Sequence, residues 1–73
     1  MIHEYYKKET AEFKILVQIN PDSLRGMELI VFPDHTIQKT KRAFDEEIYD
    51  DLKADEFVVC SPLEFNLNIK GIF

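Results

Sequence analysis

The stretch "EFKILVQIN", residues 12–20, places the strongest constraint on the fold. Phe13, Ile15, Val17 and Ile19 recur at every second position, with Lys14, Gln18 and Asn20 between them. A period of two is that of a β-strand, and it gathers the four apolar side chains on one face. Such a strand is not stable alone. It needs neighbouring strands for its backbone and a second layer over its apolar face. The other residues of the chain must supply both.

The first neighbour follows closely. "NPDSLRG" carries Asn-Pro, Asp-Ser and a closing Gly26, all turn signals, and "MELIVF" (27–32) then reads as a strand inside the sheet. Pro33-Asp34-His35 reads as a tight hairpin loop, with His35 a turn residue, returning into a third strand over 36–42. That strand is basic, with Lys39, Lys41 and Arg42, and lysines suit an exposed edge because they discourage unwanted pairing. A helix over about 45–54 comes next, with Asp45 as its N-cap. Phe44, Ile48, Tyr49 and Leu52 form its apolar arc. Strands are expected again at 57–60 and 63–70. In the second of these Leu63, Phe65, Leu67 and Ile69 alternate with polar residues. Residues 1–10 read as a frayed arm or a short helix. The expectation is a single α+β domain over residues 1–73, with an antiparallel sheet of four to five strands and one helix on one face.

A competing reading joins residues 35–54 into one long helix, capped by Asp34. The resulting ββαββ layout resembles the ubiquitin-like β-grasp domains. Charge order argues against it. Lys39, Lys41 and Arg42 would lie in the first half of that helix and the acids in the second, opposed to the helix dipole. Thr36 and Thr40 also suit a strand better.

Composition narrows the function. The chain has 14 acidic and nine basic residues, and its net charge is −5. The acidity is local. Residues 45–56 hold seven acids (Asp45, Glu46, Glu47, Asp50, Asp51, Asp55, Glu56) and one base, Lys53, while the other residues are close to neutral. That balance disfavours direct binding to a nucleic acid backbone. Asp45, Glu46 and Glu47 are explained as helix-start chemistry. Asp50, Asp51, Asp55 and Glu56 are not. Glu46–Asp50, Glu47–Asp51 and Asp51–Asp55 are like-charge i,i+4 pairs, and Asp55 and Glu56 stand at the wrong end for the dipole. The residues expected to contact a partner are therefore Glu46, Glu47, Asp50, Asp51, Asp55 and Glu56, with Lys39, Lys41 and Arg42 as a secondary basic surface.

No catalytic constellation is legible. Cys60 is the only cysteine and sits in "FVVCS", as a buried thiol would. His3 and His35 are the only histidines, and neither has triad or metal-ligand company. Pro33-Asp34 with Asp51-Leu52-Lys53 has the outline of a PD…(D/E)xK nuclease. Its second element, however, falls inside the acidic helix, with Asp51 and Lys53 on different faces. No apolar run is long enough for a membrane span, and none has the form of a secretory signal, so a cytoplasmic setting is expected.

The expected function is a small, soluble, non-catalytic interaction module without a cofactor, presenting an acidic helix face to a basic protein partner or to a second copy. One variant is an inhibitor or antitoxin-like mimic of nucleic acid charge. A second class is a divalent-metal or small-molecule site on the same carboxylates, joined by Asp34 or His35. A third is a subunit of an assembly, docking through a sheet edge or through Ile72-Phe73.

Overall fold

The computed structural model describes residues 3–70. Among them, one antiparallel sheet is built from β1 (Glu4–Glu9), β2 (Lys14–Asn20), β3 (Arg25–Val31), β4 (Ile37–Ala43) and β5 (Val58–Val59), in the order β4-β3-β2-β1-β5. Helices α1 (Ile48–Ala54) and α2 (Pro62–Ile69) complete the architecture. The α+β class is as expected. The edge position of basic β4 and the interior position of β3 also follow the sequence reading.

Successive residues of β2 serve opposite faces of the sheet. Leu16 packs with Leu29, Val31, Cys60 and Phe65, the last from α2. Val17 and Ile19 pack with Leu52 of α1, flanked by Ile48, Tyr49, Phe44 and Phe57. The helices therefore lie on opposite faces, and there are two thin cores where a single one was expected. Leu16, Ile19 and Leu29 are fully buried. Each contributes roughly 1.5–3 kcal/mol relative to exposure.

The segment expected as strand 63–70 is helix α2. Its alternation of Leu63, Phe65, Leu67 and Ile69 gives a period of two, but the residues before it give a stronger start signal. The Ser61 hydroxyl accepts from the Glu64 backbone N–H at 3.1 Å, and Pro62 stands at the first helical turn. Ser, Pro and Glu at these positions form a capped N-terminus, and Pro62 has no N–H to give a ladder. The helix buries Phe65 and Asn68 and leaves Leu63 and Leu67 exposed. Asn68 is satisfied by donating to the Glu64 carbonyl oxygen at 2.8 Å.

Glu4–Glu9 is neither a frayed arm nor a short helix. It is β1, paired with β2 along its full length and with β5 on its other side. Met1 and Ile2, like Gly71, Ile72 and Phe73, lie outside the described residues, and so does the expected docking tail Ile72-Phe73. Alternation failed to mark β1 because both its faces carry mixed side chains. Tyr5 packs toward α2 and Tyr6 toward α1, and the lysines lie on both sides.

The hairpin reading of residues 33–43 holds, and there is no long helix over 35–54. Phe32 and Thr36 share a backbone bond, His35 has φ 69°, and Asp34 Oδ1 accepts from the Thr36 N–H and hydroxyl at 3.0 and 2.6 Å. Those two bonds hold the Asp34 carboxyl below the usual range. Helix α1 begins at Ile48, later than the expected residue 45, with Glu47 at the N-cap position. Asp45 instead closes a turn, accepting from the Glu47 N–H at 3.0 Å.

Helix α1 ends in a Schellman arrangement. Phe57 N–H donates to the Leu52 carbonyl and Glu56 N–H to that of Lys53, with Glu56 at φ 65°. Glycine is preferred at that left-handed position, because a Cβ there costs about 1 kcal/mol. Glu56→Gly is expected to raise stability by about 0.5–1 kcal/mol in urea unfolding. Ser61→Ala is expected to lower it by about 1 kcal/mol and to fray α2, seen as loss of amide-exchange protection at Glu64. Unchanged protection would reject this account of the α2 start.

Candidate functional site

The alternation of β1–β4 sets the side chains on the α1 side of the sheet in cross-strand rows. Glu4, Ile19, Gly26 and Arg42 form one row, Tyr6, Val17, Glu28 and Thr40 the next, and Lys8, Ile15, Ile30 and Gln38 the third. Helix α1 is tied to the first two. The Tyr49 hydroxyl donates to Glu4 Oε1 at 2.5 Å, and the Tyr49 ring meets Tyr6 edge-on at 6.4 Å. The third row is left beside the helix, and its Lys8 and Ile15 help to line a groove of about 470 Å³.

The groove has an apolar floor and charged borders. Phe13, Ile15 and Val17 rise from the sheet side, Ile48 and Leu52 from the helix, and Phe44 and Phe57 from the chain flanking the helix. Asp51 and Asp55, one helical turn apart and both exposed, border it along α1. Also on the border are Lys8 and Thr10, together with Glu28 and Arg42, which pair with each other at 3.4 Å. The Arg42 guanidinium also lies 5.8 Å from the Phe44 ring centre, within cation–π range.

The structure divides the expected acidic face. Asp51 and Asp55 border the groove. Glu56 lines a separate hollow with Lys7, Lys8, Glu9 and Val58. Glu46, Glu47 and Asp50 are exposed and do not line the groove. The basic strand divides as well. Arg42 lies on the α1 side, while Lys39 and Lys41 stand opposite Leu29 and Met27 on the α2 side. Asp34 and His35 sit at the β3–β4 hairpin, and the hollow that His35 lines contains none of the α1 carboxylates. Among the described residues, no three His, Cys, Asp or Glu side chains are grouped to hold a metal ion.

Charge is neutralised elsewhere in the molecule. Glu64 Oε1 accepts from Lys14 Nζ at 2.7 Å and from Lys7 Nζ at 3.1 Å, and Glu9 lies 3.7 Å from both lysines. The Lys14 bond, with that from Lys7, holds the Glu64 carboxyl below the usual range, and the Glu64 bond raises the Lys7 ammonium. This cluster joins α2 to β1 and β2. Burial pushes the Cys60 thiol up, which favours its protonated form.

The sequence reading assigned Phe13, Ile15 and Val17 to a covered core and missed the groove. The expected helix over 45–54 is shortened to Ile48–Ala54, and a helix of two turns cannot cover strands of seven residues. Comparison with protein-family models, with curated proteins and with solved structures finds no match for the chain, so the functional reading rests on this geometry.

The Tyr49–Glu4 bond fixes the wall of the groove and has a titration signature. That bond, burial and the Glu4 charge push the Tyr49 phenol up to about 12. Its unfolded value is near 10, so its contribution to stability is complete below pH 10 and is lost as the pH rises toward 12. Tyrosinate absorbance should show a group ionising near pH 12 that disappears in Tyr49→Phe. That variant should also lose about 1.5 kcal/mol at neutral pH. Titration of all tyrosines near pH 10 in the folded protein would contradict this.

Proposed function

We propose that the protein is a small non-catalytic interaction module whose acidic α1 region, centred on Asp51 and Asp55, docks on a basic surface of a protein partner. One observation carries this reading. Among the described residues every ion pair takes its acid from Glu9, Glu28 or Glu64, and none uses Glu46, Glu47, Asp50, Asp51, Asp55 or Glu56. Asp50 and Asp51 stand in the first turn of α1, which favours acids, but Glu47–Asp51 and Asp51–Asp55 are like-charge i,i+4 neighbours across its two ends, each destabilising by a few tenths of a kcal/mol. A basic partner turns that internal repulsion into attraction and steers the encounter. An inhibitor or antitoxin-like mimic of nucleic acid charge is one form of this reading. Pairing with the exposed Lys39 and Lys41 of a second copy is another.

Asp50→Lys/Asp51→Lys tests it. Both positions are exposed in the first turn of α1, where acids suit the dipole, so the reversal should cost about 1–2 kcal/mol and leave the domain folded. Capture of the partner from native lysate should fall at least about fivefold at low salt, and wild-type capture should weaken at high salt as the charges are screened. Capture unchanged by both the reversal and the salt would remove the proposal.

A further inference from the structure

The groove beside those charges points to the shape of what binds there. Helix α1 has seven residues and is about 10 Å long. The seven-residue strands beneath it run about 23 Å. Part of the sheet face is therefore uncovered. Ile15 and Ile30, opposite each other on β2 and β3, are only half-buried, as is Phe13. The floor is apolar, and the border along α1 carries Asp51 and Asp55, neither in an ion pair among the described residues.

We infer that this groove seats an amphipathic α-helical segment of a partner protein, its apolar stripe on the floor and its lysines or arginines along the edge facing Asp51 and Asp55. The inference rests on the proposed acidic docking and names the class of partner.

The position of the groove selects a helix over an extended peptide. An added strand needs a free sheet edge, whereas β2 and β3 are paired on both sides. Affinity in the middle of a sheet face must come from side chains. A helix laid beside α1 supplies them as a continuous stripe and extends the helical layer over the third row. The charge pattern sets the orientation. Glu28 is already paired with Arg42, and Lys8 borders the groove, so bases on the bound helix belong along the Asp51–Asp55 edge alone. A second copy's α2, with Leu63 and Leu67 exposed, is the rival occupant.

The test uses the full chain, followed by amide and methyl NMR shifts, with three synthetic peptides. One is a leucine–lysine helix with leucines at i, i+3, i+4 and i+7 and lysines along one flank. The second has the same composition scrambled, and the third replaces lysine by glutamate. The first should bind at least about tenfold more tightly than the second and should shift Ile15, Val17 and Leu52. Asp51→Asn/Asp55→Asn should weaken it about tenfold, as expected for two partly exposed charge pairs, while Asp50→Asn changes it less than about twofold. Equal binding of the scrambled peptide, with shifts confined to the α1 carboxylates, would overturn the groove inference and leave acidic docking standing. Binding of neither lysine peptide would overturn both. Equal binding of the glutamate peptide would overturn the role of Asp51 and Asp55. Floor shifts that grow with protein concentration in the absence of peptide would assign the groove to a second copy and overturn the partner helix.

Discussion

The structure depends on β2 being apolar in both directions. Leu16 supports one core and Val17 with Ile19 the other, so a single strand anchors both helical layers. A sheet covered on two sides by a chain of 73 residues has little apolar material for each side. One consequence is that both cores are completed by aromatic residues from outside the central strands. Phe65 meets Tyr5 at a tilt, ring centres 5.3 Å apart, on the α2 side, and Tyr49, Phe44 and Phe57 close the α1 side.

The two helical layers are attached by different chemistry. On the α2 side, Lys7 and Lys14 leave the sheet to hold Glu64, and three partly buried charges lock the helix over Leu16. On the α1 side the Tyr49–Glu4 hydrogen bond joins helix to sheet among the described residues, while the helix acids are exposed. The acid of α2 is thus paired with the sheet, whereas Asp51 and Asp55 beside α1 take part in none of the ion pairs among the described residues, the pair on that face being Glu28–Arg42. Unpaired charge and uncovered apolar surface coincide at Asp51 and Asp55, and that coincidence makes the groove the candidate site.

Some of this was legible in the sequence because it depends on local pattern. The alternation around Ile15–Ile19 and the apolar arc Ile48–Leu52 are found as read, and so is the Pro33–His35 hairpin, which charge order favoured over a helix across 35–54. The failures occurred where local signals conflicted. Leu63–Ile69 offers a strand period and a helix cap together, and the cap prevails because Pro62 cannot donate to a ladder and Phe65 finds its place in the α2-side core. Tyr5–Glu9 has no periodicity, because its side chains divide between two covered faces. The acids of residues 45–56 were visible from the start, but which of them adjoin apolar surface was not.

By itself, the sequence determined the α+β class, the β2–β3–β4 meander, the edge position of the basic strand and the concentration of negative charge in residues 45–56. These follow from side-chain period, turn residues and charge, which act over a few neighbouring positions. Only the tertiary structure decided that β1 lies inside the sheet, that α2 is a helix on the opposite face, and that Asp51 and Asp55 border a groove while Asp50 does not. Those outcomes depend on which faces remain to be covered once β2 is paired, and that is settled by contacts between residues far apart in the chain.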